Sequence, residues 1–121
     1  FKQINDRFGH LTGDLVLRAI ARELQSAAAP CDLPCRLGGD EFALLVQVHN
    51  VEELESRARQ VVMAVRALRF ADPNLILRTS VSVGLAMCDE TEEWSHWYSD
   101  ADSALYEIKG QGGDGFHRYL A

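Results

Sequence analysis

The sequence predicts an α+β fold in which helices flank a mostly antiparallel central sheet. Apolar residues recur at helical spacing in four segments, and four shorter segments read as strands. The predicted order is helix, helix, strand, strand, helix, strand, helix, strand. An order that mixes helices with neighbouring strands in this way is typical of the α+β class.

Length and composition indicate one globular domain. The chain has 121 residues, of which 47% are apolar and 25% charged, enough to bury one core but not two. No apolar run has the length of a membrane span, and the N-terminus lacks a signal-peptide layout. We therefore expect a cytoplasmic domain without membrane contact of its own, in a parent protein that an anchor elsewhere could hold at the membrane.

The charge balance narrows the class of partner. The net charge of −6 argues against nucleic acid, which requires a basic face, whereas a nucleotide is compatible if a divalent cation offsets its phosphates. Cys31, Cys35 and Cys88 form no framework, and no second pair completes a zinc site. We expect free thiols in a reducing compartment.

The first elements are two helices. Apolar spacing predicts a helix over residues 1–9 that ends at Gly9, followed by a loop over residues 10–13. Thr12 or Asp14 is predicted to cap a second helix that runs to about residue 28.

A hairpin follows the second helix. Pro30 and Pro34 bracket a loop, and residues 35–37 and 42–48 predict two antiparallel strands. Two adjacent glycines between them supply the positive φ angles that tight turns demand. The two acids after the glycines then lie on a rigid turn that a polyphosphate can approach, although a solvated hairpin would also explain Gly-Gly-Asp alone.

The second half continues the alternation. Residues 51–70 form the clearest helix, which Pro73 and the following asparagine break, and residues 75–87 contain a strand. A polar loop over residues 89–98 carries two tryptophans, which we expect to pack on the sheet edge, with contact to a partner as the alternative.

The last predicted elements are a helix and a strand. Ser99 or Asp100 is predicted to cap a helix that ends near residue 110, and residues 116–120 form the final strand. With one more strand ahead of the chain, the order becomes the β-α-α-β-β-α-β-α-β of a ferredoxin-like sheet.

Three motifs resemble the signatures of the GGDEF family, the bacterial diguanylate cyclases that condense two GTP molecules into cyclic di-GMP. They are FKQINDRFGHLTGD at residues 1–14, RLGGDEF at residues 36–42 and ADSALYEIK at residues 101–109. Their order matches that of the family, and the resemblance extends over essentially the whole chain. The resemblance implies a nucleotide-cyclase palm fold whose first strand is truncated here.

The first motif carries the predicted guanine site. A carboxylate can accept from guanine N1–H and the exocyclic amine, and an amide can donate to O6 or N7. The resemblance implies that Asn5 and Asp14 hold the base and that His10 contacts substrate. Backbone amides at Phe1 and Lys2 are expected near phosphate oxygens. The alternative is structural, with Asp14 an N-cap and Asn5 a helix-end residue.

The second motif carries the predicted metal site. Two carboxylate-held Mg²⁺ ions, for which Mn²⁺ can substitute, would neutralise the triphosphate and align the reacting oxygens. Asp40 is the best remaining ligand in the chain, and Glu41 is expected to assist, on a turn that Gly38 and Gly39 leave open to substrate. By resemblance Asp40 also helps to deprotonate the 3′-hydroxyl. The family's principal metal ligand, an aspartate, falls before the first residue given.

The third motif and two departures concern phosphate and feedback. By resemblance Lys109 reaches the β- and γ-phosphates, although a lysine at a helix C-terminus is often only a dipole-favoured surface charge. The family's following arginine is replaced by Gly113, with Asp114 next, which weakens phosphate binding. The family's inhibitory R-x-x-D site keeps Asp32 but has Ala29 for its arginine, so bound product is expected only at the active cleft.

The leading hypothesis is a diguanylate cyclase domain that works as a homodimer, with one GTP per subunit and an upstream sensory domain in the parent protein. A rival hypothesis is a degenerate module that binds GTP or cyclic di-GMP without turnover. A third is a structural interaction domain.

Overall fold

The computed structural model describes residues 2–70, 79–88 and 91–119, with side chains from Ile4 onward. The chain divides into two compact units, Phe1–Gln47 and Val48–Ala121. The elements are α1 (Lys2–Phe8), α2 (His10–Ala27), β1 (Leu33–Gly38), β2 (Glu41–Leu45), α3 (Val51–Arg66), β3 (Ser82–Leu85), α4 (Trp94–Gly110) and β4 (Gly115–Arg118). Their order is the predicted one and confirms the mixed fold class, while the single-domain assignment stays a prediction.

In the first unit, α1 packs against α2. The apolar face of α2 is buried at Val16, Leu17, Ile20 and Leu24. The predicted loop over residues 10–13 is wrong, because Gly9 alone makes the turn between the helices. Its φ of 90° suits a residue without Cβ, and α2 begins at the next residue.

The β1–β2 hairpin completes this unit as an antiparallel pair, with Leu33 opposite Leu45 and Arg36 opposite Phe42. The prediction that Pro34 closes a loop is wrong, because Pro34 lies within β1 opposite Leu44. A proline fits a strand that is paired on one side, since its missing N–H can face away from the partner. β2 also ends at Leu45 and not at residue 48.

The second unit begins with α3. Its N-cap is Asn50, whose side chain accepts a hydrogen bond from the Glu53 amide at 2.8 Å. The Glu53 carboxylate accepts in turn from the His49 backbone at 2.9 Å. The pKa of Glu53 lies below its ordinary value, mainly because of this backbone hydrogen bond and next because of a hydrogen bond from the His49 side chain. The predicted end of this helix at residue 70 is wrong, because the helix ends at Arg66.

Parallel strands β3 and β4 lie against α3 and α4, with Ser82 opposite Gly115 and Leu85 opposite Arg118. Gly84 brings β3 directly onto α4, because a Cβ at this position would lie 2.6 Å from the Leu105 nitrogen and closer still to the Ala101 carbonyl. The core of this unit consists of Leu54, Ala58, Val61, Val62, Val65, Leu85, Ala104 and Ile108.

The start of α4 differs from the prediction. Residues 94–98 are helical, so both tryptophans lie on the first turn of α4, and neither Ser99 nor Asp100 is the cap. The Trp97 indole donates to the Ala86 carbonyl at 2.8 Å, which ties this turn to the end of β3. The expected contact with the sheet edge is therefore made by Trp97, whereas Trp94 is half exposed and packs edge-on against Trp97.

Some predictions fall outside the described residues. They are the helix break at Pro73, the first part of the strand over residues 75–87 and the start of the polar loop. The predicted end of the last strand at residue 120 is wrong, because β4 ends at Arg118. Among the helices that the structure describes, none combines the length and the apolar character that a bilayer crossing requires.

Candidate functional site

The glycine turn lies at the tip of the β1–β2 hairpin. Gly38 pairs with Glu41, so Gly39 and Asp40 occupy the two loop positions. Gly38 and Gly39 have φ angles of 149° and 50°, which confirms the predicted positive values. A Cβ built on either glycine would meet nothing within 4 Å. The backbone at this turn is therefore open to a bulky ligand.

Asp40 and Glu41 are both exposed, and neither carboxylate has a hydrogen-bond or ion-pair partner among the described residues. Magnesium prefers one or two protein carboxylates, with phosphates and water completing its octahedron. Nowhere in the described ranges do three His, Cys, Asp or Glu side chains group closely enough to hold a metal. The two hairpin acids therefore fit a cation that arrives with its own phosphate ligands.

The other predicted residues of this unit lie on the α1–α2 pair. Asn5 is on α1, and its Oδ1 is buried without a hydrogen-bond partner in the described structure. Leaving such an atom unpaired costs about 1–3 kcal/mol, so it is a natural acceptor for a ligand donor. His10 and Asp14 lie on the first and second turns of α2 and are exposed.

The structural alternative for Asp14 is wrong. The N-cap position of α2 is Gly9, where no side chain makes a capping hydrogen bond. Asp14 lies four residues beyond the start of the helix and makes no bond with another described residue. Its carboxylate is free to accept hydrogen bonds from a ligand.

Lys109 lies in the second unit, on the last turn of α4, and is exposed. Its ammonium forms no ion pair with any residue that the structure describes. The described part of α1 begins at Lys2, and the predicted helix start at Phe1 and the Lys2 side chain lie outside the described part of the chain. Binding of one nucleotide by all these residues stays a prediction.

Asp114, which departs from the family pattern, has a structural role in the turn that follows α4. Asp114 has a φ of 54°, and Arg66 donates from Nε to its carboxylate and from Nη2 to its carbonyl, both at 2.8 Å. Gly113, in the place of the family's arginine, has a φ of 72°, and a Cβ there would lie 2.9 Å from Ser82 Oγ. The local backbone therefore favours glycine at this position.

Asp32, in the remnant of the inhibitory motif, is bonded to nearby backbone. Its Oδ2 accepts from the Ala29 amide at 2.8 Å, and its Oδ1 from the Gln47 amide at 3.4 Å. The carboxylate thus closes the turn before β1 and links it to the segment after β2. Cys31, Cys35 and Cys88 form no disulfide within the described part of the chain.

Arg36 is the residue that sequence reasoning missed. It opens the RLGGDEF motif, and its side chain donates from Nε and Nη2 to the Gly39 carbonyl, at 3.0 and 2.6 Å. An arginine two residues before a pair of turn glycines was the available signal. The bond itself depends on the bulge between Arg36 and Gly38, which the sequence pattern does not show.

Comparison with known proteins gives the family. The family described as "Diguanylate cyclase, GGDEF domain" matches residues 1–115. Diguanylate cyclase DgcM from Escherichia coli (strain K12) is 37% identical over 121 residues, which make up 100% of this chain and 28% of that protein. The chain therefore spans about a quarter of the length of that relative.

Solved structures agree with this match. The GGDEF domain of DgcB from Caulobacter crescentus, in complex with c-di-GMP, superposes with a TM-score of 0.91 at 27% identity, covering 99% of this chain and 72% of that one. Diguanylate cyclase SiaD from Pseudomonas aeruginosa, in complex with its activator SiaC, gives 0.87 at 35% identity, covering 93% and 44%. These likenesses confirm the predicted nucleotide-cyclase palm fold, and the chain belongs to the GGDEF domain family of diguanylate cyclases.

Proposed function

We propose that this chain is the catalytic domain of a diguanylate cyclase, which condenses two GTP molecules into cyclic di-GMP and two pyrophosphates. The observation that carries the proposal is the hairpin tip, where two unpartnered carboxylates follow two glycines with open space beside them. Neither acid stabilises the turn through a bond to a described residue. Relatives named diguanylate cyclases support the reaction, and the DgcB complex with c-di-GMP supports the class of product.

Guanine selection falls to the α1–α2 pair. The unpaired Asn5 Oδ1 and the free Asp14 carboxylate are acceptors for the N–H groups on the guanine edge. Adenine offers an acceptor at its N1 position where guanine offers a donor, so the same acceptors would reject it. His10, exposed on the first turn of α2, is the further substrate contact in this proposal.

In each half-reaction the 3′-hydroxyl of one GTP attacks the α-phosphorus of the other. A new P–O bond forms, the bond to the β-phosphate oxygen breaks, and pyrophosphate leaves with the electron pair. Asp40 accepts the hydroxyl proton with help from Glu41, and the Lys109 ammonium binds the β- and γ-phosphates. Bound Mg²⁺, or Mn²⁺ in its place, supplies neutralisation of the phosphate charge and would be held by Asp40 and Glu41.

The reaction requires two copies of the domain. One subunit binds one GTP, so two subunits must face each other for both 3′-hydroxyls to attack, which makes the active species a homodimer. Product binds at the active cleft, because Ala29 offers no guanidinium at the inhibitory motif and Asp32 is bonded to backbone. In this proposal the domain is cytoplasmic, and a sensory region elsewhere in the full-length protein sets how the two copies meet.

A second candidate function is a module that binds guanine nucleotide without turnover. Gly113 favours it, because the phosphate-binding arginine of the family pattern is replaced there by a residue that the backbone conformation requires. The unpartnered Asp40 and Glu41 favour the enzyme, since a binding module has no need of a free acid pair at the hairpin tip.

Calorimetry and product analysis on the full-length gene product distinguish the two functions. Incubation with GTP and Mg²⁺ should yield cyclic di-GMP, whereas GTP binding without product would support the binding module. Asp14→Asn should weaken GTP binding by about tenfold to a hundredfold, the value of one or two hydrogen bonds to a charged group. Glu23→Gln, on the same helix, is the matched control and should bind normally. Absence of GTP binding by the parent would contradict both functions.

A further inference from the structure

We propose that Arg36 is a positioning residue that holds the Gly39–Asp40 peptide in the orientation that presents the hairpin acids to a divalent cation. This inference rests on the proposed function for its catalytic consequence, but its structural part concerns the hairpin alone. The carrying observation is the forked bond from Nε and Nη2 of Arg36 to the Gly39 carbonyl, at 3.0 and 2.6 Å.

The turn has few other restraints. The ladder is irregular between Arg36 and Gly38, so Arg36 with Phe42 is the last regular pair, and Gly38 with Glu41 is the one pair between that irregularity and the tip. Gly38 and Gly39 carry no side chains to pack, and the space around both is open. Glycine also adopts positive and negative φ with similar ease, so the peptide between positions 39 and 40 has low intrinsic resistance to flipping.

The bonded carbonyl is the one that controls Asp40. The Gly39 carbonyl and the Asp40 amide belong to one planar peptide unit, so fixing the oxygen fixes the plane from which the Asp40 Cα departs. Two donors on one oxygen restrain direction as well as distance. A flip of that plane would redirect the Asp40 Cα–Cβ bond, so restraining the plane restrains the positions that the Asp40 carboxylate can reach.

The chemistry of arginine suits this role. Its guanidinium is always charged and presents its donors in a rigid fork, whereas a lysine ammonium is a point charge on a flexible stem. Arg36 also lies three residues before Gly39 and close in sequence to two carboxylates, yet it bonds the carbonyl. Both carboxylates therefore remain available to a cation.

The test compares Arg36→Ala and Arg36→Lys variants of the full-length protein with the unsubstituted protein, by ¹⁵N relaxation of the Gly39 and Asp40 amides. We expect amide order parameters of about 0.85 in the unsubstituted protein, as in rigid backbone, and below about 0.6 in both variants, as in flexible backbone. Arg22→Ala, which removes an exposed guanidinium from α2, is the control and should match the parent. Unchanged order parameters in both variants would overturn the proposal, as would a lysine variant that behaves like the parent.

A second readout measures Mn²⁺ binding in the presence of GTP by electron paramagnetic resonance. Both Arg36 variants should bind Mn²⁺ about tenfold more weakly, comparable to the loss of one charge-assisted hydrogen bond. The turnover number should fall while the KM for GTP stays within about twofold, because the guanine contacts on α1 and α2 are unchanged. A raised KM with normal turnover would contradict a positioning role.

The two proposals can fail separately. If the parent makes no cyclic di-GMP but the Asp40 amide loosens in both Arg36 variants, the proposed function fails and the positioning role holds. If the parent is active and the Asp40 amide is equally rigid in every variant, the function holds and the positioning role fails.

Discussion

Among the described glycines, Gly84 is the one where an added Cβ would meet neighbouring backbone most closely. A methyl group added there would lie 2.6 Å from the Leu105 nitrogen and closer still to the Ala101 carbonyl. Both are backbone atoms of α4, so no side-chain rotation can relieve the overlap. Ordinary van der Waals contact lies at about 3.5–4.0 Å, which requires α4 to move away from β3 by about 1 Å or more.

That displacement sets the expected cost of Gly84→Ala. A gap of 0.5–1 Å forfeits about a quarter to a half of each dispersion contact, and the helix carries Ala104 and Ile108, which are only 2% and 8% exposed. Overpacking a well-filled core costs about 1–3 kcal/mol. Because backbone atoms resist, we expect about 3 kcal/mol or more, a large share of the roughly 5–15 kcal/mol of a typical domain.

The assay is urea unfolding followed by tryptophan fluorescence, since Trp97 bonds the end of β3 from the first turn of α4. Gly110→Ala is the matched control, because Gly110 ends the same helix and a Cβ there meets nothing within 4 Å. It should stabilise the protein by about 0.4–1 kcal/mol. A Gly84→Ala variant within about 1 kcal/mol of the parent would refute the close approach of β3 to α4.

Three further predictions concern single contacts. Asp114→Ala should cost about 1–2 kcal/mol in urea unfolding, since it loses the Arg66 pair and places alanine at a φ of 54°, whereas Asp114→Asn, which tolerates that φ, should cost less than half as much. Thr79→Val should cost about 1 kcal/mol, because the buried hydroxyl donates to the Val65 carbonyl at 2.7 Å. Hydrogen bonds from His49 lower the folded-state pKa of Glu53. Its contribution to the free energy of unfolding is therefore present above its unfolded-state pKa and lost as pH falls through its folded-state pKa. Glu53→Gln should remove that part of the pH dependence of stability, as measured by urea unfolding at several pH values.

The element order could be predicted because apolar spacing records which faces are buried. The stripe on α3 is an example, since Leu54, Ala58, Val61 and Val65 recur at helical spacing and are all buried. The boundaries were harder to predict. Gly9 replaced an expected four-residue loop by a single positive φ. α4 begins in a segment of polar composition, where the Trp97 indole makes a hydrogen bond that the composition does not indicate.

The candidate site was predictable where motif and local geometry coincide, as at the positive φ of Gly39. The roles of Arg36 and Arg66 were not, because each guanidinium bonds a backbone carbonyl whose position depends on a bulge or on a turn distant in sequence. Side-chain bonds of this kind leave no periodic pattern. That one nucleotide contacts Asn5, Asp14, Asp40 and Lys109 stays a prediction, which nucleotide binding to variants of these residues would test.

Asp40 and Glu41 are, in the proposed function, the acids on which the condensation of GTP depends. The most direct measurement is the stoichiometry of products formed from GTP with Mg²⁺ by the full-length gene product and by its Asp40→Asn variant. We expect two pyrophosphates for each cyclic di-GMP from the parent and no product from the variant, which should still bind GTP. Cyclic di-GMP formed by the Asp40→Asn variant at the parent's rate would contradict the account.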